Sequence, residues 1–126
     1  MNTNKKYNIL FIKEDKSLFD SETTIFLQLF NTVDKAIGTK EVLSLIDTKK
    51  YDIIIGDISV DPEGVLLLKQ IKDKNPKQII FALVSPKDTD KLYKIANYDI
   101  NAFELTPEQF DQALEAIAQF DHNEEQ

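Results

Sequence analysis

The sequence predicts an α/β fold, doubly wound around an open five-stranded parallel sheet. Three observations predict it. Five apolar runs of strand length recur along the chain, each followed by a stretch with helical apolar spacing. The third run, with isoleucine at positions 53, 54 and 55, is apolar without alternation, as a central parallel strand covered on both faces requires. At 126 residues the chain has the length of one domain and can bury a real core.

Tyr7 to Ile12 reads as the first strand. Beyond Lys13-Glu14-Asp15-Lys16, a helix is predicted with Leu18, Ile25, Phe26 and Leu29 on one face, widened by Phe19 and Phe30. Thr32 to Ile37 is a weaker second strand ended by Gly38, and Thr39 is placed to cap a short helix carrying Val42, Leu43 and Ile46. Tyr51 to Gly56 is the clearest strand, and it delivers Asp57 to its C-terminal end. Asp61-Pro62-Glu63-Gly64 reads as a turn into a helix from Val65 to Lys74, stopped by Asn75-Pro76. Ile79 to Val84 is the fourth strand, broken by Ser85-Pro86, and Asp88 to Asn97 the fourth helix, with Leu92, Ile95 and Ala96 inward. Ala102 to Leu105 is a brief fifth strand. The last helix is signalled by Thr106 as N-cap, Pro107 at its first position and Gln109 completing a capping box; Phe110, Ala113, Leu114 and Ile117 then follow at helical spacing. His122 to Gln126 is polar and expected to fray. With no linker or repeat, residues 1–126 form a single domain with a core of about 7–120.

Composition narrows the function. Hydrophobic residues make up 42% and charged residues 29%, a globular balance. Cysteine is absent, which removes disulfides and thiolate metal sites and fits a cytoplasmic protein. No signal peptide is visible, and the longest apolar stretch, Ile79 to Val84, is far too short to cross a bilayer. The net charge of −7 argues against a nucleic-acid surface, and all fifteen cationic residues are lysine, so no guanidinium fork is available for phosphates or base edges. Proteins are the expected partners. Glycines 38, 56 and 64 form no phosphate-cradling loop, and the single histidine, His122, lies in the tail; neither supports an enzyme.

In doubly wound sheets, sites form outside the carboxyl ends of the strands. Glu14 and Asp15 follow the first strand and Asp57 ends the third. Three converging carboxylates repel one another unless a cation intervenes, and oxygen-only ligands favour Mg²⁺. Solvated loop acids are the bland alternative.

Ile9-Leu10-Phe11-Ile12-Lys13-Glu14-Asp15 resembles the first strand and acidic pair of response regulator receiver domains. Tyr51-Asp52-Ile53-Ile54-Ile55-Gly56-Asp57 resembles the strand ending in their phosphoryl-accepting aspartate. Asp61-Pro62-Glu63-Gly64, Asn75-Pro76 and Phe103-Glu104-Leu105-Thr106-Pro107 are similar to later family landmarks, and the five segments come in order with the right βα spacing. The resemblance covers nearly the whole chain and implies the flavodoxin-like strand order 2-1-3-4-5. It implies that Asp57 accepts a phosphoryl group from a histidine kinase or phosphotransfer protein. Glu14, Asp15, Asp57 and the backbone carbonyl of Ser59 would hold Mg²⁺. It further implies that a downstream protein docks on the face made by the fourth helix, fifth strand and last helix, around Tyr93, Phe103 and Ala113.

The sequence departs from the family pattern at functional positions. Lys13 stands at the first acidic position, where it weakens the expected Mg²⁺ site, and Glu14 replaces the usual aspartate. Either Lys13 is an exposed loop lysine or its ammonium reaches Asp57. Val84 stands where the family has a reporting hydroxyl, and Thr106 where it has a lysine. Ser85 carries a hydroxyl one residue late, on the opposite face of a regular strand. Phe103 is similar to the family's switching aromatic. Two functions follow: a phospho-accepting receiver with impaired switching, or a phosphorylation-independent pseudo-receiver used for protein docking.

Overall fold

The computed structural model describes residues 7–13, 28–57, 63–84, 86 and 89–119. Five strands, β1 (Asn8–Lys13), β2 (Thr32–Ile37), β3 (Ile53–Asp57), β4 (Ile79–Val84) and β5 (Asn101–Glu104), form one sheet in the order β2-β1-β3-β4-β5. Every pairing is parallel. Among the described residues four helices follow strands: Thr39–Thr48, Glu63–Lys74, Thr89–Ala96 and Phe110–Ala118, each named below by its first residue. The predicted first helix lies outside the described residues apart from its end, where Gln28 and Leu29 are helical.

The sheet has two apolar faces, and strand alternation divides the core between them. Leu10, Ile12, Ile54, Ile80, Ala82 and Val84 meet Val42, Leu68, Ile71 and Ile95 of the Thr39, Glu63 and Thr89 helices. Ile9, Phe11, Ile53, Ile55, Phe81 and Leu83 meet Phe30 and the Phe110 helix. β3 is buried along its whole length, as its unbroken apolar run requires. Gly56 lets the Glu63 helix approach: a Cβ there would lie 3.1 Å from Cδ2 of the fully buried Leu68. No helix among the described residues is long and apolar enough to cross a membrane.

Helix starts differ from expectation. Gly38, not Thr39, is the N-cap of the Thr39 helix; its φ of 89° is open to glycine and it offers no side-chain cap. Glu41 reaches back instead, accepting the Ile37 N–H at 2.9 Å. Glu63 and Gly64, read as turn residues, already belong to the Glu63 helix. The last helix opens with a 3₁₀ turn over Pro107–Gln109 before α-helical bonding begins at Phe110. Only half of the predicted capping box forms: Gln109 Oε1 accepts the Thr106 N–H at 2.9 Å, while Thr106 Oγ1 donates to that same oxygen at 3.3 Å rather than capping a backbone N–H. β5 begins and ends one residue earlier than expected.

At the N-terminal edge of the sheet, the Tyr51 hydroxyl donates to Asp34 Oδ2 at 2.6 Å, and Lys49 Nζ donates to the same oxygen at 2.9 Å. The tyrosine bond, then the lysine, holds the Asp34 carboxyl below its ordinary pKa, while burial and the Asp34 charge push the Tyr51 phenol up. A depressed carboxylate stabilises the fold above the unfolded pKa of about 3.9, and that contribution is lost as pH falls through the lower folded value. Tyr51→Phe should therefore cost about 1–2 kcal/mol at neutral pH. Urea titrations at pH 7 and pH 3 check this, and the gap between the two proteins should narrow at the acid end.

Candidate functional site

β1, β3, β4 and β5 end on the same edge of the sheet, and the strand register places their last residues. Ile12 pairs with Gly56, Asp57 with Leu83, and Val84 with Glu104. Lys13 and Asp57 occupy the next position on adjacent strands, where the winding reverses between β1 and β3. Asp57 is 0% exposed, the one buried polar or charged side chain among the described residues. Withdrawing a carboxylate from water is costly unless it is compensated. Its position follows from the strand before it: three isoleucines and Gly56 carry the chain through the core, and the carboxylate arrives where pairing stops.

The other residues singled out from the sequence divide in two. Glu14, Asp15, Ser59 and Ser85 lie outside the described residues, and of Lys13 only the backbone is described. Val84, Phe103 and Thr106 are among the described residues. Val84 is fully buried against the Val65 and Ile95 side of the sheet, and it offers no hydrogen-bonding side chain. Opposite Asp57 stands Leu83, which alternation sends to the face away from Val84. Thr106 sits just past β5, where the Leu105 N–H bonds to the Val84 carbonyl at 3.0 Å, and its hydroxyl is turned onto Gln109.

Phe103 is half-buried and stacked on Phe81, with ring centroids 5.7 Å apart and planes 15° apart. Phe81 was not singled out from the sequence. Its signal is positional: Phe103 pairs with Leu83, so Phe81 is its diagonal neighbour on one face. Ala113, expected on the partner face, is instead buried with Phe110, Leu114 and Ile117 against the sheet. Its place on that helical stripe removes it from any docking surface. Tyr93 is 71% exposed.

No protein-family model matches the chain. The chain is 34% identical over 82 residues to the transcriptional regulator NtrC of Klebsiella pneumoniae, a match covering 64% of this chain and 17% of that protein. It is 32% identical over 92 residues to the sensory transduction protein LytR of Staphylococcus haemolyticus, covering 70% of this chain and 35% of that protein. These matches take in well under half of either relative. Among solved structures, the receiver domain of NtrX from Brucella abortus superposes with a TM-score of 0.69 at 13% identity, covering 90% of this chain and 99% of that one. The chain has the fold of response regulator receiver domains. The chemotaxis response regulator CheY4 of Vibrio cholerae shares the receiver fold, with a TM-score of 0.68 at 16% identity over 87% of this chain and 97% of that one. In this fold Asp57 ends β3 at the sheet edge where the winding reverses, with Val84 at the end of β4 and Thr106 just past β5.

Proposed function

We propose that this receiver accepts a phosphoryl group on Asp57 from a histidine kinase or phosphotransfer protein, and that its output face responds only weakly. The burial of Asp57 at the switch point of the sheet carries this reading. A carboxylate oxygen of Asp57 bonds to phosphorus as the bond to the donor breaks; the donor leaves with that electron pair, and an acyl phosphate remains. Glu14, Asp15, Asp57 and the Ser59 carbonyl would supply Mg²⁺ with oxygen donors only, the kind it prefers. Bound there, the ion would neutralise charge on the phosphoryl oxygens.

Val84 and Thr106 support the weak response. Val84 has no group to hydrogen-bond an added phosphoryl oxygen, and the Thr106 hydroxyl is already engaged by Gln109. A downstream protein meets the Thr89 helix, β5 and the outer side of the Phe110 helix. The same two residues favour a second reading, in which the domain docks its partner without phosphorylation.

Intact-mass analysis after incubation with acetyl phosphate and Mg²⁺ tests the proposal. The wild-type chain should gain one phosphoryl group and Asp57→Asn none. An unmodified wild-type chain would leave the docking reading, and a modified Asp57→Asn would place the acceptor elsewhere.

A further inference from the structure

Lys94 is the last of the fifteen lysines. Eight acids follow it without a single lysine or arginine, whereas the fourteen acids before it are matched by all fifteen lysines. Essentially the whole net charge of −7 therefore belongs to the last quarter of the chain.

The fold turns this asymmetry into a surface. Phe110, Ala113, Leu114 and Ile117 fix the inner side of the Phe110 helix. Glu108, Asp111 and Glu115, all exposed and spaced three and four residues apart, fall on one outward stripe. None of the three has an ion pair with another described residue. Like charges at this spacing repel, and Glu115 sits near the helix C-terminus, where the helix dipole favours a cation; the last turn has none. β5 leads into the stripe through Leu105 and Thr106, and it is an edge strand paired on one side only among the described residues, with Asn101, Ala102 and Glu104 exposed. Across β5, the Thr89 helix presents Tyr93, an aromatic of the kind that anchors interfaces.

We infer that this face docks a lysine- or arginine-rich segment of a partner protein and does not pair with its own copy. The inference rests on the partner face proposed above and names the chemistry that fits it. A cationic segment relieves the repulsion along the stripe and is steered toward it. A symmetric dimer would set Glu108, Asp111 and Glu115 against the same residues of the second copy.

The test uses the full ¹⁵N-labelled chain with no phosphoryl donor, so its outcome is independent of Asp57 chemistry and of the mass measurement. The probes are a synthetic amphipathic lysine–leucine helical peptide and its glutamate–leucine counterpart. The lysine peptide should shift Tyr93, the β5 amides and residues 108–115, and the glutamate peptide should shift none of them. Added salt should weaken binding. The triple variant Glu108→Gln/Asp111→Asn/Glu115→Gln, altered only at exposed positions, should bind roughly tenfold more weakly. Sedimentation should find the chain monomeric. Shifts spread equally over acids elsewhere, such as Asp52 and Asp73, would overturn the inference, as would unchanged affinity in the triple variant. A dimer mapped to the stripe would overturn it as well.

Discussion

Ile54→Ala should lower the unfolding free energy by about 3–5 kcal/mol, near the top of the range for buried isoleucine. Ile54 is 0% exposed and sits on the central strand, between Leu10 of β1 and Ile80 of β4 in register. Val42, Leu68 and Ile71 belong to the same cluster from the helices above. A cavity there is walled by strands on both sides, so the surroundings have little freedom to collapse into it. The melting temperature should fall by roughly 10–20 °C for a domain of this length. Leu66, on the outward side of the Glu63 helix and 57% exposed, is the internal control: Leu66→Ala should change stability by less than about 1 kcal/mol. Denaturant titration of the two variants checks the contrast. Equal losses would mean that the burial pattern does not describe the molecule in solution.

The architecture was legible because its signals are local. The apolar runs of β3 and β4 lie on central strands covered from both sides, so their hydrophobicity alone marks them. Boundaries that depend on backbone bonding were less legible. Whether Gly38 or Thr39 caps the Thr39 helix turns on a positive φ, and the 3₁₀ opening of the last helix turns on where i→i+4 bonding begins. Ala113 is instructive: helical spacing from Phe110 and Ile117 already places it inside, and only the family resemblance put it on the partner face.

At the candidate site, the sequence marked Asp57 because a carboxylate ending an apolar strand is conspicuous. It could not show that the register sets Leu83 beside it, or that Phe81 stacks on Phe103, since both depend on strand pairing. The bond from Tyr51 to Asp34, residues 17 apart in sequence, was hidden for the same reason.

Asp57 and the face around Phe103 should be weakly coupled. A ligand shifts a conformational equilibrium only by its differential affinity for the two states. A hydroxyl at position 84 would supply part of that difference through a charge-assisted hydrogen bond worth about 1.5–3 kcal/mol. Val84 supplies none, and it is fully buried, so moving it exposes apolar surface. Phe103 is held on the other side by its stack with Phe81, an arrangement worth about 0.5–1.5 kcal/mol beyond the area it buries. The contribution lost at Val84 is comparable with the few kcal/mol that separate such states. The deciding measurement is the amide spectrum of the chain with and without beryllofluoride, which mimics a phosphoryl group on the aspartate. Shifts confined to Asp57 and the adjoining strand ends are predicted, while large shifts at Phe103 and Tyr93 would contradict the account.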